Sequence, residues 1–94
     1  MIKIVTYQSE IGTSIRWESL WNEIVIKEGR VSFYYGVLPL CQDSGQPLRK
    51  KTEECLFEEY LSGKLNFKIE EAFGKKTAEE VKQSIISIGT STQS

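Results

Sequence analysis

The sequence predicts an α+β domain in which an antiparallel sheet carries helices packed mainly on one face. Three observations carry that prediction. Short runs rich in β-branched and aromatic residues alternate at period two, as in Ile2–Tyr7 and Lys64–Glu70. Two further β-rich runs flank the dipeptide Glu28-Gly29, a hairpin signature. Near the end, Thr77-Ala78-Glu79-Glu80 matches a helix capping box and leads into an apolar stripe at helical spacing.

Taken in order, Ile2, Ile4 and Thr6 share one face of an opening strand, and Lys3, Val5 and Tyr7 share the other. Trp17, Leu20 and Trp21 then fall at i, i+3 and i+4, which predicts a short helix within 13–22, with Thr13 or Ser14 as N-cap. A strand through Ile15 and Trp17 is the alternative. Ile24–Lys27 and Arg30–Tyr35 form the two arms of the hairpin, and Gly29 takes positive φ without penalty at its turn.

Residues 37–51 hold both prolines (Pro39, Pro47) and the polar run Gln42–Gln46, so a long loop is expected. Thr52 reads as the N-cap of a helix over 52–62, with Glu53 and Glu54 complementing the helix dipole and Gly63 closing it. Leu65, Phe67 and Ile69 would face inward from a strand over 64–70. A last helix begins at Thr77, turns Val81, Ile85 and Ile88 inward and stops at Gly89. Lys50–Glu54 and Lys75–Glu80 are near-repeats, which the shared capping chemistry of two helix starts would explain. Residues 1–89 therefore form one domain, and 90–94 a polar tail with no reason to fold alone.

Strand, helix, strand, strand, helix, strand matches the βαββαβ order of the ferredoxin-like sandwich, here with an added C-terminal helix. Without the 13–22 helix, the chain becomes a curved antiparallel sheet with its helices gathered towards the C-terminus. Both are α+β, and neither architecture dictates a function.

Composition narrows the function classes. The 94 residues include 12 basic and 13 acidic side chains, no histidine, two cysteines and a single aspartate, Asp43. A formal net charge of −1 supplies no general attraction to nucleic acid or anionic membranes. Lacking histidine, the chain lacks the commonest general base and metal ligand, and every Ser-His or Cys-His pair. The opening residues do not make a secretory signal, no run is long enough to span a membrane, and cysteines are scarce. A cytoplasmic protein is the expectation.

The carboxylate pairs Glu53/Glu54, Glu58/Glu59, Glu70/Glu71 and Glu79/Glu80 diverge if they lie on helices, so no metal site and no cofactor are expected. Cys55, in the first turn of the expected 52–62 helix, is surrounded by acids that oppose thiolate formation. No catalytic residue is assigned. The thin catalytic inventory and the aromatics on both faces of 33–35 point instead to a non-enzymatic protein-binding module: an adaptor, an inhibitor or a subunit of a larger complex. Its partner would be another protein or a second copy. The contact residues expected are Trp17, Trp21, Tyr34 and Tyr35, with Arg49, Lys50 and Lys51 at the end of the loop. The alternative is a nucleic-acid-binding accessory protein that stacks bases on Tyr7, Phe33 and Tyr35 beside the same basic residues.

Overall fold

The computed structural model describes residues 2–10, 12–19, 21–36 and 49–92, with side chains of the last helix described as far as Ile88. Five strands come first: β1 (Lys3–Ser9), β2 (Gly12–Glu18), β3 (Asn22–Lys27), β4 (Arg30–Gly36) and β5 (Arg49–Leu56). Three helices follow: α1 (Phe57–Leu61), α2 (Asn66–Phe73) and α3 (Lys75–Thr92). The sheet is an open antiparallel meander in the order β1-β2-β3-β4-β5. The class is α+β. The helices follow all the strands instead of alternating with them, so the order is not the ferredoxin-like one.

Register explains which face the helices cover. Trp17 pairs with Ile24 and Ile24 with Phe33, while Ile15 pairs with Ile26, Ile26 with Val31 and Val31 with Cys55. These two apolar rows lie on one face, the first running across β2–β4 and the second across β2–β5. Tyr60 of α1, Ile69 of α2 and Ala78, Val81 and Ile85 of α3 close over them to form the core. The phenol of Tyr60 donates to the carbonyl of Ala78 at 3.2 Å, tying α1 to α3, and burial pushes its pKa up to about 12. The cover thins towards β1, where Ile4 is exposed although it pairs with buried Trp17.

The expected hairpin is present. Lys27 pairs with Arg30, and both Glu28 (φ 53°) and Gly29 (φ 77°) take the positive φ that a primed two-residue turn requires. The opening strand is present as β1. The described residues of 13–22 are not helical, Leu20 lying outside them: Gly12–Glu18 is strand, as in the alternative reading, because Ile15 and Trp17 at period two meet the Ile26 and Ile24 row. Residues 52–62 are not one helix either. Thr52 sits in β5 at a register shift opposite Phe33 and Tyr34, and α1 starts only at Phe57. Pairing with the backbone of β4 and burying Cys55 outweigh the local capping signal.

Residues 64–70 are not a strand. Leu65, Ile69, Ala72 and Phe73 lie at i, i+4, i+7 and i+8, and it is this helical stripe of α2 that packs on the core. Gly74, at φ 100°, separates α2 from α3. The last helix starts at Lys75, two residues before the expected cap, so Thr77 is buried in its first turn instead of capping it. It then runs through Gly89 to Thr92. Of the expected loop, 37–48 lies outside the described residues, and Arg49, Lys50 and Lys51 belong to β5.

Candidate functional site

The face of the sheet away from the helices carries an array of ion pairs. Arg16 of β2 lies 3.4 Å from Glu18 and 3.7 Å from Glu23 of β3, and Arg49 of β5 lies 3.7 Å and 3.9 Å from the same two carboxylates. Arg49 also donates to the carbonyl of Ser19. Further along, Glu54 accepts hydrogen bonds from Ser32 (2.9 Å) and Lys51 (3.1 Å) and lies 3.8 Å from Arg30. These donors, Ser32 first, hold the Glu54 carboxyl below the usual range. Glu23 is shifted the other way. Burial pushes its carboxyl up, and the two arginines offset this only in part. Arg49 and Lys51 are thus engaged with carboxylates of this face, while Lys50 pairs with Tyr35 on the neighbouring strand. The basic residues expected to act as one cluster are dispersed by the strand.

On the opposite face, a groove of about 490 Å³ opens between the end of β4 and helix α2. Phe33, Tyr35 and Phe67 line it with Asn22, Thr52 and Ala72, and Lys68 and Glu71 also belong to its walls. The sequence accounts for each position. Tyr35 extends the Val31–Phe33 face of β4 beyond the reach of the helices, leaving it 52% exposed. Phe67 lies off the Leu65–Ile69–Ala72 stripe of α2 and is 76% exposed. Phe33 forms the floor, in edge-to-face contact with Phe73 at a centroid distance of 6.5 Å. Lys68 Nζ lies 5.8 Å from the Phe33 ring centroid and is ion-paired with Glu53 of β5. The groove therefore has an aromatic interior and rim charges of both signs.

A wider cleft of about 640 Å³ lies between the β1–β2 hairpin and α3, where amides and hydroxyls such as Gln8, Thr13, Gln83 and Ser84 share the walls with Ile15, Phe57 and Ile88. Glu28 is the one ionisable group on its walls among the described residues.

Of the residues expected to meet a partner, Tyr35 lines the aromatic groove, and Trp21, partly exposed, sits beside Asn22 and accepts a hydrogen bond from the Gly36 amide. Trp17 is a core residue, 2% exposed, because it lies in the apolar row of β2. Tyr34 points to the ion-paired face, flanked by Glu23 and Lys51. Tyr7, Phe33 and Tyr35 do not form one stacking surface. Tyr7 is on edge strand β1 and on the face opposite Phe33, which is itself buried.

The carboxylates and thiol are also separated. Glu53 faces Lys68, and Glu54 faces Ser32, so adjacent strand positions send the pair to opposite sides of the sheet. Cys55 is a free, buried thiol in β5, not a residue of a helix first turn, and burial pushes its pKa up. No group of three or more Cys, Asp or Glu side chains suited to a metal ion comes together among the described residues. None of the helices among them is long and apolar enough to cross a membrane.

Phe67 is the groove residue that sequence reasoning missed, because a strand over 64–70 turns it inward. The signal was present. A helical reading of Leu65, Ile69, Ala72 and Phe73 leaves Phe67 on the outer side. Compared with family models, with curated proteins and with solved structures, the chain finds no match in any of the three.

Proposed function

We propose that this chain is a small non-enzymatic protein-binding module that holds an apolar anchor of a partner polypeptide in the groove between β4 and α2. The observation that carries this reading is the convergence of Tyr35 and Phe67, both largely exposed, over an aromatic floor in a concave site. Aromatic side chains bring large contact area at small entropic cost and dominate interface energetics where they are enclosed. Lys68 and Glu71 at the rim provide orientation without a net charge requirement on the partner. An adaptor, an inhibitor or a subunit of a complex all fit this chemistry. A free buried thiol fits a reducing compartment, which supports a cytoplasmic protein. The nucleic-acid alternative has less support, since Arg49 and Lys51 already face carboxylates and the three aromatics it needs lie on different faces.

The test is affinity capture from the native host with the wild-type chain and with the Tyr35→Ala/Phe67→Ala double variant, followed by calorimetric titration of the recovered protein. A stoichiometric partner whose affinity falls at least about thirtyfold in the variant is expected, since enclosed aromatic anchors each contribute about 2 kcal/mol or more. Circular dichroism checks that the variant is folded. Equal binding by both chains, or no stoichiometric partner, defeats the reading.

A further inference from the structure

The two edges of the sheet are unlike each other. Edge strand β5 opens with Arg49-Lys50-Lys51, carries a register shift opposite Phe33 and Tyr34, and has Glu53 ion-paired with Lys68 of α2. Charges and bulges of this kind are what keep an edge from pairing with another strand. Edge strand β1 has no bulge, and its only charge sits at its first position. Its seven residues, Lys-Ile-Val-Thr-Tyr-Gln-Ser, pair with β2 in unbroken register from Lys3↔Glu18 to Ser9↔Gly12, and Lys3 is its one charged residue. β-branched side chains fill its centre. Ile4 is 51% exposed, because the helices stop short of this strand, and Tyr7 is exposed on the other face. Among the described residues no strand lies on the outer side of β1, so alternate N–H and C=O groups along it point away from β2.

We propose that β1 pairs antiparallel with β1 of a second copy of this chain, about a two-fold axis at Thr6, joining the two five-stranded sheets into one. A second copy is the occupant that the strand's own pattern favours. With Thr6 opposite Thr6, each Val5 meets a Tyr7 on one face and each Ile4 meets a Gln8 on the other, so the faces stay matched across the joint. Val–Tyr is a β-branched–aromatic pair of the kind that stabilises neighbouring strands. The two Lys3 side chains fall at opposite ends of the joint, so no like charges are opposed. The same patch serves both copies, as a closed two-fold dimer requires. The joint adds backbone hydrogen bonds but, as a single pair of strands, less area than the roughly 1,600 Å² of a standard interface, so it belongs with the weak, concentration-dependent contacts.

Sedimentation equilibrium of the full chain from about 5 μM to 1 mM is the first measurement, and a mass rising towards twice 10.8 kDa is expected. Thr6→Lys and Thr6→Glu each place like charges across the axis and raise the dissociation constant at least about tenfold, whereas an equimolar mixture of the two variants regains the dimer. Thr6 is exposed, and far-ultraviolet circular dichroism confirms that both variants fold. Amide exchange of the outward-facing N–H groups of β1 slows as concentration rises. A chain that stays monomeric at 1 mM overturns the proposal. So does a dimer unaffected by Thr6→Lys, or one lost instead in the Tyr35→Ala/Phe67→Ala variant, which would place the contact at the groove. Protection of β1 by a different protein's strand, with no self-association, also overturns it.

Discussion

Glu23 and Glu54 lie on the same face of the sheet, each close to two basic side chains, yet their carboxyl groups shift in opposite directions. The difference is desolvation. Glu23 is largely covered beside Arg16 and Arg49, and the loss of water outweighs both attractions. Glu54 is exposed and keeps the hydrogen bonds from Ser32 and Lys51 at little solvation cost. The folded chain therefore holds the Glu23 proton more tightly than the unfolded chain does. Its contribution to stability is fully present below the unfolded pKa and is lost as pH rises through the folded value. For Glu54, and for Glu59, whose carboxylate accepts the Leu56 amide, the contribution is present above the unfolded pKa and lost as pH falls through the folded one. Replacing Glu23→Gln removes the first dependence. Relative to wild type, its unfolding free energy should improve as pH rises from about 4 to about 7. Urea denaturation at the two pH values measures this, and a variant that loses ground as pH rises refutes it. None of it is legible in the sequence, because Glu23 and Glu54 differ in burial, not in residue type.

Elements show where local sequence stops deciding. Lys50-Lys51-Thr52-Glu53-Glu54 and Lys75-Lys76-Thr77-Ala78-Glu79-Glu80 are near-identical helix starts by composition, yet the first is strand and the second is helix. In the first, β4 offers an unpaired edge and Val31 a partner for Cys55; in the second, Ala78, Val81 and Ile85 fall on one helical stripe over the core. Propensity differences of a few tenths of a kcal/mol per residue yield to a strand's worth of backbone pairing. The β3–β4 hairpin was legible for the converse reason, since turn chemistry and alternation agree there. That turn also leaves room for improvement. Glu28 occupies a left-handed conformation that Asn adopts more readily, and it is exposed. Glu28→Asn should stabilise the protein by about 0.5–1 kcal/mol. A denaturation midpoint at or below the wild-type value counts against a primed turn at 28–29.

At the scale of the molecule, one core joins a sheet and three helices, and exposure separates structural apolar residues from those left for contact. Ile85 of α3 lies on the Ile24–Ile26 face and is almost fully buried, whereas Phe67 is the more hydrophobic-looking residue and contributes little to folding. Ile85→Ala should cost about 2–4 kcal/mol, and Phe67→Ala should stay within about 0.5 kcal/mol of wild type. Equal effects in thermal or chemical denaturation would mean that the groove is part of the core. The sequence by itself determined the α+β class, the opening strand, the hairpin and an amphipathic last helix, because in those segments period, turn residues and apolar stripe all agree. The tertiary structure decided that 12–18 and 49–56 are strands, that 66–73 is a helix, and that Trp17 is core while Tyr35 and Phe67 share a groove. Those outcomes depend on which backbone edge and which apolar face were left unsatisfied by the rest of the fold, and no window of neighbouring residues carries that information.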